Sequence, residues 1–236
     1  MHYGIIAAGE GSRLRQEGVD RPKPLVSLNG TPMIERLIRL FIECGAESVS
    51  IIVNEQMTDV QKFLDALVPT LPVPVSVIVK STPSSMHSFY ELSRLMRGKG
   101  RFILTTVDTI FRAADFARYV DAFEAAGADT DGMMAMTDFV DDEKPLYIDV
   151  DADFNILDFR DNPWAGVRYI SGGIYGLSEP AIGILEDCMS QGVSRMRNYQ
   201  RALVAGGLRL KGFPMGKIID VDHAADIEVA EKFINS

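Results

Sequence analysis

Residues 9 to 25, GEGSRLRQEGVDRPKPL, collect Gly9, Gly11, Arg13 and Lys23 in one stretch directly behind an apolar run, Ile5-Ile6-Ala7-Ala8. Glycines in that place let backbone N–H groups approach an anion where side chains would block them. Arg13 offers phosphate oxygens a planar fork and Lys23 a point charge. Pro22 and Pro24 are expected to hold the lysine backbone extended. The competing reading is a surface loop with solvated charges. Two nucleotide patterns fail here: no GxxxxGK followed by Ser or Thr occurs, and Leu14 stands where a GxGxxG motif needs its third glycine. A triphosphate needs a hard cation, and Mg²⁺ takes one or two carboxylates plus phosphate oxygens. Asp108 follows the apolar run FILTTV, and Asp220 follows GKII, with Asp222 two residues on and expected on the same face. Taken singly each aspartate reads as a turn former or helix cap; their shared position at strand ends favours ligation.

The elements that must position these groups follow from periodicity. GIIAA (4–8), SVSIIV (48–53), VPVSVIV (73–79) and RFILTTV (101–107) are short and rich in β-branched residues, which predicts parallel strands buried on both faces. Between them, Met33-Ile34 with Leu37-Ile38 and Phe41-Ile42, Val60 with Phe63-Leu64 and Leu67, and Phe89 with Leu92 and Leu95-Met96 repeat at helical spacing. Thr31-Pro32 reads as an N-cap with proline at the first helical position. Strand and helix in alternation mean right-handed crossovers and an open twisted sheet. Beyond residue 130 the pattern predicts strands at 131–137, 145–150, 155–160 and 169–177, helices near 179–190 and 194–206, a strand pair at 208–214 and 216–222, and a closing helix from 224. The fold class is α/β: a Rossmann-like three-layer α/β/α arrangement with a mostly parallel central sheet and an antiparallel hairpin region in the C-terminal half. In such sheets ligands sit beyond the carboxyl ends of the strands, where the opening loop lies.

The 236 residues are 47% hydrophobic and 24% charged, an ordinary globular composition with no apolar run long enough for a bilayer span. One domain is expected over 1–236, its nucleotide-binding half ending near 130 and an acceptor-binding half following. MHYGIIAAGEGS lacks a basic start and its apolar stretch is short, so the mature chain is expected to begin at residue 1 and to work in the cytoplasm. Cys44 and Cys188 form no CxxC pair and are read as buried thiols. The net charge of −9 argues against a nucleic-acid surface, yet residues 1–39 carry six Lys or Arg against four acids, which suits a small anion.

AAGEGSRL followed by RPKPL resembles the signature of the nucleotidyltransferase family that includes sugar-1-phosphate nucleotidylyltransferases, AAGxGxRL followed by PKPL. VDTIF, NILDFRDNP, ISGGIYGL and IIDVDHAADIEVAEKFI are similar to further segments of that family, so the resemblance runs over nearly the whole chain. It implies a nucleoside triphosphate over Ala7, Ala8, Gly9, Gly11 and Ser12, with Arg13 and Lys23 as catalytic cations on its phosphates and Mg²⁺ at Asp108 and Asp220, with Asp222 beside them. A phosphorylated small-molecule acceptor would attack the α-phosphorus and release pyrophosphate. Ser85 and His87 stand where the family reads the base, though Ser84-Ser85-Met86-His87-Ser88 replaces its usual Gly-Thr-Ala-like turn. Where the family hairpin often ends Glu-Lys-Pro, this chain reads Asp161-Asn162-Pro163. Arg160 or Arg168 is expected to supply the missing cation, with Gly173 on the sugar-proximal strand, or else the acceptor is a phosphorylated alcohol such as phosphocholine. Trp164 reads as packing.

Asp151, Asp153 and Asn155 begin like a calcium loop, but Ile156 and Asn162 at the sixth and twelfth places exclude an EF-hand. Segment 138–161, with nine acids against two bases, reads as a solvated hairpin edge. His87 and His223 lack partners at ligand spacing and read as structural, and Met133, Met134 and Met136 as core or pocket filler. Besides a nucleotidylyltransferase acting on a sugar 1-phosphate, a glycosyltransferase using DVD as its metal motif and a nucleotide-binding module without turnover remain open. Base, acceptor, pathway and oligomeric state are not legible.

Overall fold

The computed structural model describes residues 1–140 and 143–235, so Asp141 and Asp142 of the acidic stretch lie outside the described residues. β1 (His2–Ala7) leads into a short helix, α1 (Ser12–Gln16), and a 3-10 turn at Lys23–Leu25. A small hairpin of β2 (Ser27–Leu28) and β3 (Thr31–Pro32) precedes α2 (Met33–Glu43). Next come β4 (Ser48–Val53), α3 (Thr58–Leu67), β5 (Val75–Val79), α4 (Ser85–Met96), β6 (Phe102–Thr106), β7 (Thr109–Ile110) and α5 (Ala113–Ala125). β8 (Gly132–Thr137), β9 (Tyr147–Val150), β10 (Ile156–Arg160) and β11 (Tyr169–Leu177) then precede α6 (Glu179–Ser190) and α7 (Met196–Ala205). β12 (Leu210–Pro214), β13 (Ile219–Asp220) and α8 (Ala224–Ile234) complete the described chain.

The central sheet runs β10-β9-β11-β6-β1-β4-β5, with β8 on β11 and β12 on β8. β6, β1, β4 and β5 are mutually parallel, as their near-continuous apolar runs predict. β11 is antiparallel to β6, β8 and β9, so the second half is the mixed region that its alternating segments suggest. After β5 the chain crosses back to β6 on the far side of β1, and the order therefore reverses between β1 and β6. That reversal opens a crevice at the strands' carboxyl ends, between the loop after β1 and Asp108 after β6.

Two apolar layers sandwich the sheet. On one face α2, α3, α5 and α8 bury residues such as Leu37, Leu64, Phe116 and Ala230; on the other α4, α6 and α7 bury Phe89, Leu185 and Tyr199. Met133, Met134 and Met136 belong to this core. Cys188 is buried while Cys44, which ends α2, is only half-buried. No helix among the described residues is long and apolar enough to cross a membrane.

Three local expectations are corrected. β5 is an edge strand, with Val77 and Val79 36% and 44% exposed; a strand paired on one side only cannot be covered on both faces. Thr31 does not cap α2: the Met33 N–H donates to the Val26 carbonyl at 3.0 Å, so the hairpin satisfies the helix's first amide. Lys23 is not extended either. Leu25 N–H donates to the Pro22 carbonyl at 2.8 Å and Val26 N–H to the Lys23 carbonyl at 3.1 Å, bending the segment into a turn that aims the lysine inward.

Candidate active site

β1 delivers the chain to Ala8 at the crevice, and Gly11 turns it. Gly11 holds φ +60, and a Cβ there would lie 2.8 Å from the Lys23 Cβ, so only glycine lets α1 fold back against the lysine turn. Lys23 is 8% exposed. Its Nζ donates to Asp108 and, at 2.6 Å, to Asp222 Oδ1. Arg13 Nη1 donates to Asp222 Oδ2 at 3.2 Å, and its Nη2 pairs with Glu143 at 3.4 Å. Burial opposes the Lys23 charge, but the Asp108 and Asp222 carboxylates outweigh it and push the ammonium up to about 12.

Asp220 reaches the same place from the far end of the chain because β13 pairs with β7, setting Asp220 opposite Thr109. Thr109 Oγ1 donates to Asp220 Oδ1 at 3.1 Å, and Val221 N–H donates to the Asp108 carbonyl at 3.1 Å. β11 contributes Gly173 where its register against β8 shifts, between Ser171 and Tyr175. Gly173 has φ +72, and a Cβ would meet Thr109 Oγ1 at 2.8 Å, so this bulge admits only glycine beside the carboxylates. Asp108 is depressed below the usual carboxylate range: burial opposes its charge, and Lys23 more than compensates. Asp220 is raised above the usual carboxylate range, first by loss of hydration against the crevice wall and then by the neighbouring Asp108 carboxylate.

Among the described residues no group of three or more His, Cys, Asp or Glu side chains is arranged to hold a metal. Asp108 and Asp220 nevertheless fit a hard cation as a pair: both are oxygen donors, and their mutual repulsion is what a divalent ion would relieve. Mg²⁺ commonly takes one or two carboxylates and completes its shell with phosphate oxygens and water. Asp222 shares Lys23 with Asp108 and accepts from Arg13 as well.

These groups line one cavity of about 700 Å³. Ala8, Gly9, Gly11, Ser12, Ser85 and Gly173 line it together with Arg13, Lys23 and the three aspartates. Ala7 does not; it is 1% exposed and packs into the core. His87 is absent from the wall, its Nδ1 engaged with Ser84 Oγ at 2.8 Å, and His223 faces Glu17 Oε1 at 2.6 Å. Arg160 and Arg168 stay outside the cavity. Arg160 is held by Asp149 at 2.7 Å and Asp158 at 3.1 Å and lies 4.6 Å over the Trp164 ring. Arg168 lies over Tyr169 and faces Asp138. The hairpin acids that read as a solvated edge thus retain both arginines. Arg195, Arg197 and Gln200 line the wall in their stead, and Asn54 lines the other end, its Oδ1 accepting from Ser81 Oγ at 2.9 Å. Gln200 interrupts the buried stripe Met196, Tyr199, Leu203, a signal visible in the sequence; Arg195 carries none.

Residues 4–153 match the model of the MobA-like NTP transferase domain. The chain belongs to the MobA-like NTP transferase family. This NTP transferase domain is 25% identical over 237 residues to the bifunctional protein GlmU of Methanococcus maripaludis strain S2, covering 98% of the chain and 54% of that relative. The chain thus spans about half the length of that relative. A shorter match, 47% identical over 50 residues, links it to the 2-aminoethylphosphonate cytidylyltransferase of Lancefieldella rimae, covering 21% of this chain and 20% of that one. Among solved structures, the inositol-1-phosphate CTP transferase from T. maritima superimposes with a TM-score of 0.81 at 18% identity, covering 100% of this chain and 96% of that one. That likeness is one of fold.

Proposed function

We propose that the chain is a Mg²⁺-dependent nucleotidyltransferase that moves a nucleoside monophosphate from a nucleoside triphosphate to a sugar 1-phosphate, forming a nucleoside diphosphate sugar and pyrophosphate. The observation that carries this reading is the convergence of Lys23, Arg13, Asp108 and Asp220 in one cavity at the strand order's reversal. An oxygen of the acceptor phosphate attacks the α-phosphorus in line; the new P–O bond forms as the bond to the pyrophosphate oxygen breaks, and the electron pair leaves with pyrophosphate. Such a transfer needs little covalent help, because positioning and charge neutralisation lower the barrier. Lys23 and Arg13 orient and neutralise the phosphates, exchanging carboxylate partners for phosphate oxygens as the triphosphate enters. Gly9 and Gly11 keep side chains out of its path. Mg²⁺, held by Asp108 and Asp220, would supply further neutralisation of the phosphate charge.

A second reading, cytidylyl transfer to a phosphorylated alcohol or a phosphonate, is favoured by the match to the L. rimae cytidylyltransferase. Pyrophosphate release separates the two. With Mg²⁺, the four common nucleoside triphosphates and a panel of sugar 1-phosphates, phosphocholine and 2-aminoethylphosphonate, release with one sugar phosphate is expected. Release only with phosphocholine or the phosphonate would replace the acceptor, and silence with every pair would sink the transferase reading.

A further inference from the structure

We propose that Thr106 and Thr109 form a hydroxyl brace between the two carboxylates that would hold Mg²⁺, with Thr109 as the positioning residue that aims Asp220. The inference rests on the nucleotidyltransferase reading and adds the residues that shape its metal pair. In FILTTVDTIF the two threonines stand on either side of Asp108. β6 ends at Thr106, the chain turns at Val107 and Asp108, and β7 begins at Thr109. That turn sets the two hydroxyls together, with Thr106 Oγ1 2.7 Å from Thr109 Oγ1. Thr109 Oγ1 donates to Asp220 Oδ1 at 3.1 Å. A hydroxyl has one proton and two lone pairs, so Thr109 then offers Thr106 only an acceptor, and Thr106 donates to it. The Thr106 hydroxyl also faces Asp108 and favours its charge. The two threonines thus span the gap from one carboxylate to the other.

The two carboxylates are anchored unequally. Asp108 accepts from Lys23. Asp220 makes no ion pair with a described residue, and Thr109 is its only hydrogen-bond donor among them. The β7–β13 pairing and the bond from Val221 N–H to the Asp108 carbonyl at 3.1 Å fix the backbone on both sides. What they leave free is rotation of the Asp220 side chain, and the like charge of Asp108 favours turning it away. The bond from Thr109 opposes that rotation. It occupies one carboxylate oxygen and leaves Oδ2 without a described donor, available to a cation. The surroundings are shaped for the hydroxyls. Thr109 is 1% exposed, and a Cβ at Gly173 would lie 2.8 Å from Thr109 Oγ1 and 3.7 Å from Thr106 Oγ1, so the bulge in β11 makes room for both. Groups that hydrogen-bond a metal's ligands set their orientation and with it the affinity for the ion.

Titration of Mn²⁺ into the full chain without nucleotide, followed by the paramagnetic resonance of the free ion, tests the brace apart from turnover. Wild type is expected to bind the ion and Asp220→Ala to bind it more weakly. Thr109→Val keeps the shape and removes the hydroxyl, and it is expected to lose at least about tenfold in Mn²⁺ affinity. Thr109→Ser keeps the hydroxyl and removes the methyl, and it is expected to stay within about threefold of wild type. A packing role would reverse that order and overturn the brace. Thr106→Val is expected to fall between wild type and Thr109→Val, because Lys23 still holds Asp108. In the Asp220→Ala background, adding Thr109→Val is expected to change the affinity by less than about twofold, since Thr109 acts through Asp220; a full further loss there overturns the assignment. In turnover, the Mg²⁺ concentration for half-maximal pyrophosphate release is expected to rise in Thr109→Val by the same factor as the Mn²⁺ Kd. Equal Mn²⁺ affinity in wild type and Thr109→Val sinks the brace and leaves the transferase reading standing. Mn²⁺ binding without pyrophosphate release by wild type does the opposite, and no Mn²⁺ binding by wild type overturns the metal pair and the brace together.

Discussion

Lys23 is where opposite ends of the chain meet, paired at once with Asp108 behind β6 and Asp222 behind β13. Asp108→Asn keeps a group of the same shape for Lys23 to donate to, so the fold should survive with Tm within a few degrees of wild type. Turnover should fall at least about 10²-fold, and near-normal pyrophosphate release in this variant would remove Asp108 from the metal pair. The two loop glycines make a sharper contrast. Gly11→Ala meets Lys23 at 2.8 Å with φ +60 and should cost about 1–3 kcal/mol in urea unfolding. Nothing lies within 4 Å of a Cβ at Gly9, so Gly9→Ala should stay within about 0.5 kcal/mol of wild type. Its methyl would project into the cavity, and the triphosphate KM should rise. Equal stability of the two variants would refute this division of roles. The signature residues were legible because their types are rare in combination. Arg160 and Arg168 misled because sequence shows a cation's presence but not the hairpin acids that retain it.

At the scale of elements, long apolar runs announced themselves and very short pairings did not. β7 and β13 are two residues each, too few for any period, yet their pairing brings Asp220 to Thr109. β8 and β12 show how such a register is fixed. Asp131 accepts from Arg209 N–H at 2.9 Å and from Arg209 Nε and Nη2 at 3.0 Å each, just ahead of the parallel pair Gly132 and Leu210. These bonds, against burial, hold the Asp131 carboxyl below its ordinary value. A depressed folded pKa stabilises above the unfolded carboxyl pKa of about 3.9, and that contribution is lost as pH falls through the folded value. Asp131→Asn should therefore unfold more easily at pH 7, by at most about 1 kcal/mol for so exposed a pair. Its gap from wild type should narrow as pH falls below the unfolded carboxyl pKa of about 3.9 and close in stronger acid. A gap that widens in acid would mean the pair is not ionic.

For the molecule as a whole, composition and pattern sufficed for the architecture but not for the part of the cavity wall that comes from the start of α7. Alternating strands and helices specify a doubly covered sheet, whereas the place of α7 against β10 and α6 depends on packing that no local pattern records. The aromatic stack beneath β1, with Tyr3 and Phe41 at 4.3 Å and Phe41 and Phe116 at 5.4 Å between ring centroids, anchors one layer, and none of its three rings lines the cavity. Phe116→Ala should cost about 3–5 kcal/mol, read as a lower urea midpoint, while KM values of the folded protein remain those of wild type. A changed KM would show that this layer reaches the site.

The pairing of Asp220 with Thr109 also orders events in time. Lys23 and Asp108 are present once about half the chain has been made, but the second carboxylate arrives only after more than a hundred further residues, on a two-residue strand that α8 fastens through Glu231 to the Asn29 N–H at 2.8 Å. Contacts of such separation carry a large loop-closure cost and form late. A ribosome-bound chain would therefore already hold Lys23 beside Asp108 while lacking Asp220 and Asp222, so the charge cluster of the crevice is completed only when β13 docks.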